Sequence, residues 1–187
     1  TDTTYYIDNV TFGSLTESAF DGIIDYDDYQ IGHMVTGLVG SEAKAPVFSV
    51  ADSPTDATNL VAEFIKPSST AGFGFDYLTI LDLENGELID SSNETVTMRV
   101  YAPDSGKTVM LGVVDETDLS SLVLASATTT KSEEWETLTF DFSTPYGSGT
   151  VDHANDYNQA RVAFGIFENT EDTYYYDEVN FSAIISG

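Results

Sequence analysis

Nine residues near the C-terminus, Thr173-Tyr174-Tyr175-Tyr176-Asp177-Glu178-Val179-Asn180-Phe181, have a near copy at Thr4-Tyr5-Tyr6-Ile7-Asp8-Asn9-Val10-Thr11-Phe12. Residues of this kind favour extended chain. Read with a period of two, Tyr175, Asp177, Val179 and Phe181 point to one face and Tyr174, Tyr176, Glu178 and Asn180 to the other. The Val/Phe end of the first face requires a core, so the stretch reads as an end-strand used twice. The same alternation turns Asp177 inward at the lip of that core. An unpaired buried charge is costly, and the chain has 6 Lys and Arg against 32 Asp and Glu. A cation from solution is therefore a better partner than a salt bridge; the alternative is an Asp177 just outside the strand and solvated.

The 187 residues suffice for one β-domain, and 41% hydrophobic with 12% aromatic content builds a core in spite of a net charge of -26. That charge disfavours nucleic acid and anionic membranes as partners and favours bound cations, high ionic strength, or both. The chain has no cysteine, as suits a bacterial secreted protein large enough to fold without disulfides. No stretch approaches the roughly 20 apolar residues of a membrane span, so membrane insertion is not expected. There is no signal peptide and the chain opens in strand-like sequence, so a mature or excised piece of something longer is expected.

Along the chain, residues 59–65, 75–80, 95–102, 109–114, 119–130, 135–142, 161–167 and 173–181 read as strands, and no segment of ten residues keeps a helical repeat. The turn Pro103-Asp104-Ser105-Gly106 predicts that 95–102 and 109–114 form a hairpin. Residues 32–53 read as loop. Asp21, Asp25, Asp27 and Asp28 lack the Gly and terminal Glu of an EF-hand loop. His33 and His153 have no second ligand at metal spacing and read as surface residues. The expected fold is all-β, an antiparallel β-sandwich or jelly roll, with a closed barrel as the second choice.

From Asn59 onward the chain resembles a family of bacterial β-sandwich carbohydrate-binding modules found in tandem beside the catalytic domains of secreted polysaccharide-degrading enzymes. The residues that carry the resemblance are Val96-Thr97-Met98-Arg99-Val100-Tyr101-Ala102-Pro103 with Gly106, then Ala127-Thr128-Thr129-Thr130 leading to Glu134-Trp135-Glu136-Thr137-Leu138-Thr139-Phe140-Asp141-Phe142, and the closing Tyr174-Tyr175-Tyr176-Asp177-Glu178-Val179. The resemblance implies a jelly-roll, galactose-binding-like sandwich over 13–187, a strand at 1–12 from the end of a preceding repeat, no catalysis, and a structural calcium held by Asp21 and Asp177. Two departures stand where ligand loops are expected: Glu168-Asn169-Thr170-Glu171-Asp172 replaces a glycine-rich run, and Phe73 and Phe75 stand in place of a tryptophan.

No nucleophile elbow, zinc-protease motif or phosphate loop is present. Sugar binding needs an aromatic platform with planar hydrogen-bonding groups. One outward face is expected to carry Arg99 and Tyr101, then Met110, Gly112 and Val114, then Gly165 and Phe167, as a shallow groove for a polysaccharide or cell-surface glycan; the alternative is that residues 32–53 cover it. Tyr146 and Tyr157 are further ligand aromatics, and Trp135 is assigned to packing. The competing function is a calcium-stabilised structural repeat of a bacterial surface adhesin or extracellular filament. Neighbouring copies would then join by strand or head-to-tail contacts.

Overall fold

Eleven strands and no helix make up the described residues of the computed structural model, which are 22–26, 33–38, 47–68, 74–79, 88–115, 117–166 and 168–181, with 33–38, 47–48 and 74–79 as backbone alone. The strands are β1 (Ile23–Ile24), β2 (His33–Leu38), β3 (Val47–Ser53), β4 (Asp56–Lys66), β5 (Gly74–Thr79), β6 (Thr95–Tyr101), β7 (Thr108–Asp115), β8 (Asp118–Thr128), β9 (Trp135–Asp141), β10 (Gln159–Phe164) and β11 (Asp172–Phe181). One sheet runs β3-β4-β11-β6-β9, with β1 also on β11; the other runs β2-β5-β10-β7-β8. Every pairing is antiparallel. The result is the expected jelly-roll sandwich.

Two expectations about connections fail for one reason. Residues 95–102 and 109–114 do not pair: β6 lies between β11 and β9, and β7 lies between β10 and β8 in the other sheet. The turn at Pro103 carries the chain across the sandwich, because partners are chosen by long-range burial that a local turn motif does not encode. Likewise residues 32–53 are not one loop. They hold β2, which pairs with β5, and β3, which pairs with β4; glycine breaks hide an alternation that only the partner strand enforces.

Alternation holds cleanly in β6, where Val96, Met98 and Val100 are fully buried, and in β9, where Leu138 and Phe140 join them. Val109, Leu111 and Val113 of β7 and Ala160, Val162 and Phe164 of β10 face them from the second sheet. In β11 the alternation breaks. Tyr174, Tyr176, Val179 and Phe181 are all core residues at 0% exposure, although a regular strand would place the first pair and the second pair on opposite faces. The register slips between Asp177 and Asn180, and Glu178 takes a left-handed φ of 47°. This β-bulge flips the parity and puts both pairs inside. Tyr175 and Asp177 consequently lie on the outer face rather than toward the core.

The crossing from β10 to β11 is held by two lysines. Lys66, 7% exposed, donates to the carbonyls of Glu168 at 2.7 Å, Thr170 at 2.8 Å and Pro67 at 3.4 Å. Its three protons are satisfied by backbone alone. Lys107 donates to the Glu168 carboxylate and, at 3.2 Å, to Asp172; the Glu168 bond is the main influence holding its ammonium above the ordinary lysine range. Gly165, at the start of this crossing, has φ 54°, and a Cβ there would stand 2.8 Å from the Tyr174 hydroxyl. Only glycine fits both demands.

The turns share a second device. Asp56, Asp90, Asp115 and Asp141 each accept the amide and the hydroxyl of the Ser or Thr two residues on. These bonds favour the charged form and hold all four carboxyls below the ordinary aspartate range. Their contribution to stability is fully present above the unfolded-state pKa and is lost as pH falls through the lowered folded values. Thermal stability is therefore expected to decline below about pH 4, and Asp141→Asn, which keeps an acceptor oxygen but cannot titrate, to make that decline shallower. Melting curves across an acid pH series check this; an identical acid limb in the variant would refute it.

Candidate functional site

Between the inward side chains of the first sheet, the alternate positions form a row across five strands. Trp135 of β9 pairs with Tyr101 of β6, Tyr101 with Tyr175 of β11, Tyr175 with Glu63 of β4, and Glu63 with Ser49 of β3. Directly opposite residues in an antiparallel pair share a face, so all five look outward. The three rings are half-buried. Tyr101 lies 5.7 Å from Trp135 at 61° and 5.9 Å from Tyr175 at 77°, edge to face.

Polar groups border the rings. Arg99, one register step from Tyr101, lays its guanidinium over the Trp135 ring at 4.9 Å from the centroid and pairs with Glu178 at 2.8 Å. The indole N–H donates to Thr55 Oγ1 at 3.0 Å, and Ser49 donates to Glu63 at 2.8 Å. Burial, with the Glu63 carboxylate beside it, holds the Tyr175 hydroxyl above the ordinary tyrosine range, so it stays neutral at physiological pH. The bulge at Glu178 is what aims that carboxylate at Arg99, and Arg99 in turn covers one face of Trp135.

Asp177 adjoins this row and is 2% exposed. Its Oδ2 accepts from Asn59 Nδ2 at 3.2 Å and its Oδ1 from the Glu178 amide at 2.9 Å. Burial pushes its carboxyl above the ordinary aspartate range, against the pull of these bonds and of Arg99. Among the described residues, no three His, Cys, Asp or Glu side chains gather where they could hold one metal ion. Asp21 lies outside the described residues. Its neighbour Gly22 accepts the Phe181 amide at 2.7 Å, and Ile24 pairs with Val179. The segment after Asp21 thus meets the end of β11, and Asp25 is the acid that follows in the direction of Asp177.

The expected groove does not assemble. Arg99 and Tyr101 are on the first sheet, whereas Met110, Gly112 and Val114 are on β7 of the second. Met110, Val114 and Ala163 alternate with core residues on the second sheet's outer face, and they are 2%, 0% and 0% exposed. Gly112 is hemmed in as well: a Cβ there would come within 2.8 Å of Leu124 Cδ2 and 3.0 Å of Leu122 Cδ1. The unbroken run Val109-Met110-Leu111-Gly112-Val113-Val114 was the available signal, since a strand apolar at every position is buried on both faces. Phe167 lies outside the described residues. Tyr157, expected as a ligand aromatic, is a core residue at 0% exposure whose hydroxyl accepts the Asp152 amide at 3.1 Å. Tyr146 is 45% exposed and apart from the row. His153 is half-buried rather than on the surface, and pairs with Glu94 at 2.9 Å.

The sandwich is similar to the family 11 carbohydrate-binding module of a cellulosomal cellulase of Clostridium thermocellum, with a TM-score of 0.56 at 14% identity over 89% of this chain and 94% of that module. The fold is that of a bacterial carbohydrate-binding module. A family 11 module from the same organism in complex with a β-1,3-1,4-mixed-linked tetrasaccharide matches with a TM-score of 0.55 at 12% identity, over 84% of this chain and 92% of that one. A family 30 module of another C. thermocellum cellulosomal cellulase matches at 0.54 and 12%, over 84% and 94%. These neighbours are modules that bind carbohydrate, not catalytic domains. No family model matches the sequence, and no curated protein matches it.

The two tyrosines are separable by stability. Tyr157→Ala is expected to cost about 3–5 kcal/mol, as for a large core side chain, and Tyr146→Ala under about 1 kcal/mol. Urea denaturation of both variants checks the contrast, and equal costs would remove Tyr157 from the core.

Proposed function

We propose that this chain is a non-catalytic carbohydrate-binding module of a larger secreted bacterial protein. The observation that carries this reading is the outward row of Trp135, Tyr101 and Tyr175 with Arg99, Glu63, Ser49 and Thr55 at its borders. A pyranose ring offers an apolar C–H patch rimmed by hydroxyls, and half-buried rings beside planar donors and acceptors match both parts of it. The tilts of 61° and 77° between neighbouring rings make the row faceted. A flat crystalline polysaccharide needs a coplanar strip, so the row suits a single soluble glycan chain that twists. The jelly-roll fold shared with a family 11 module in complex with a β-1,3-1,4-mixed-linked tetrasaccharide supports the same reading.

Trp135→Ala and Tyr101→Ala are each expected to weaken retention on a soluble glycan by about tenfold or more, equivalent to about 1.4 kcal/mol. Affinity electrophoresis in gels of mixed-linked glucan, laminarin, xylan, agar or alginate checks this, with the fluorescence of Trp135, the one tryptophan, as a second readout. Retention unchanged in both variants would move the site elsewhere. Absence of retention on every polysaccharide, together with self-association, would replace this function by that of a structural repeat in an adhesin or filament.

The same proposal includes calcium. Asp177 is a buried carboxylate whose donors are an amide side chain and a backbone N–H, while its nearest cation, Arg99, is engaged by Glu178. Its burial is unfavourable without positive charge, and a hard oxygen ligand suits calcium; Asp177 would hold the ion, with Asp21 as the second acid. At 10 mM calcium and the roughly 10⁻⁴ to 10⁻³ M affinity of extracellular sites, the ion would stabilise the fold by about 1.4–2.7 kcal/mol. The melting temperature is expected to rise by several degrees with calcium and not in Asp177→Asn. An identical melting curve in chelator and in calcium would sink the metal.

A further inference from the structure

The β3–β4 hairpin leaves the sheet in which it is rooted. β4 pairs with β11 only over residues 62–66, and β1 takes the same edge of β11 at Val179 and Asn180. Beyond that point β4 is paired with β3, and between Asp52↔Leu60 and Ser53↔Asp56 the register skips Ala57, Thr58 and Asn59. The sequence closes this bulge locally, because Asp56 accepts the amide and the hydroxyl of Thr58 at 3.0 and 2.7 Å. Two contacts then trace the hairpin's path. Asn59 donates to Asp177 on the outer face of β11 at 3.2 Å, and Thr55 at the tip accepts the Trp135 indole N–H at 3.0 Å. β9, which carries Trp135, lies three strands from β4, about 14 Å at the ordinary spacing. A hairpin rooted on β4 reaches that indole only by crossing the outer face. Its passage accounts for two burials that alternation does not: Val61, outward by its parity with Glu63, is 0% exposed, and Asp177 is 2% exposed.

The row of Trp135, Tyr101 and Tyr175 is therefore flanked by this hairpin on its Arg99 and Asp177 side. We propose that the hairpin is one wall of the glycan groove and that Thr55 is a positioning residue, which orients the Trp135 ring through its N–H. The inference rests on the function proposed above. Trp135 opens the edge strand β9, where the sheet gives it a cross-strand neighbour, Tyr101, on one side alone. Arg99 over one face and Tyr101 beside the ring set its tilt; a hydrogen bond lying in the ring plane sets its rotation within that plane. A sugar stacks on the face that Arg99 leaves, and a ring already held loses less side-chain entropy when it does so. Thr55 is itself held. Its amide and hydroxyl lie 3.5 and 3.4 Å from Ser53 Oγ, Ser53 is 6% exposed, and Pro54 between them limits the backbone freedom of the tip.

Thr55→Val removes the acceptor and keeps the shape, whereas Thr55→Ser keeps the acceptor. In affinity electrophoresis with mixed-linked glucan, laminarin, xylan, agar and alginate, Thr55→Val is expected to weaken retention by about three- to tenfold, and Thr55→Ser to restore it. Acrylamide is expected to quench Trp135, the one tryptophan, more strongly in Thr55→Val than in the wild type or Thr55→Ser. The melting midpoint is expected to stay within about 3 °C in both variants; a larger fall would assign Thr55 to stability instead and overturn the positioning role. Retention unchanged in Thr55→Val while Trp135→Ala loses it would overturn the inference and leave the function standing. So would tighter retention in Thr55→Val, because Thr55 would then compete with the glycan for the indole, or a Thr55→Ser variant as weak as Thr55→Val. Absence of wild-type retention in all five gels would instead overturn the function, and this role with it.

Discussion

The bulge at Glu178 is the constraint on which the arrangement of β11 depends. β11 is the central strand of the first sheet, and its apolar residues come in two pairs that a regular strand cannot place on one face. One residue in left-handed conformation, a strain of order 1 kcal/mol or more for a non-glycine, brings Tyr174 and Tyr176 into register with Val179 and Phe181 and completes the core. The tyrosines then meet Phe164 of the opposite sheet, Tyr174 stacked on it at 4.8 Å and Tyr176 at 5.6 Å. The same event turns Asp177 outward beneath Asn59 and sends Glu178 to Arg99. Core packing, buried acid and aromatic row thus follow from a single backbone choice.

Charge is distributed as unevenly as its total implies. Asp56, Asp90, Asp115 and Asp141 sit at turns and strand ends, where the amide and hydroxyl two residues on stabilise the charged form. Each described lysine or arginine of the first sheet and its crossings is engaged at a defined place: Lys66 and Lys107 at the crossing into β11, Arg99 beside Trp135, Lys131 at Glu134. Lys66 is the most instructive. An ammonium in contact with three carbonyls does for the loop what a bound cation would do, without leaving a buried carboxylate to compensate. Asp177 presents the opposite situation, a buried negative charge supported by neutral donors, and it is there that a cation from solution has most to contribute.

Much of this was legible in the residues. The two-residue alternation of β6 and β9, the turn residues that punctuate the chain and the want of any helical repeat lead directly to an antiparallel sandwich, and Arg99 and Tyr101 belong to an outward aromatic face. The groove expected from a β6–β7 hairpin does not form, because the turn at Pro103 crosses between sheets. Trp135 and Tyr175 do not stand out as members of the row in the residues alone, for a related reason. Trp135 enters the row through cross-strand pairing with Tyr101, and Tyr175 reaches the outer face only once the bulge has reversed the expected parity of β11.

By itself the sequence determined which residues prefer to be extended, which face of each regular strand is apolar, and that a chain with 32 acids must pair, solvate or neutralise them. Those are properties of neighbours along the chain, set by side-chain geometry and the period of the strand. The tertiary structure decided which strands pair, on which side of the sandwich each lies, and where the alternation breaks. Such choices are settled by burial shared among residues as far apart as Asn59 and Asp177, and no local pattern carries the free energy of contacts made across more than a hundred residues.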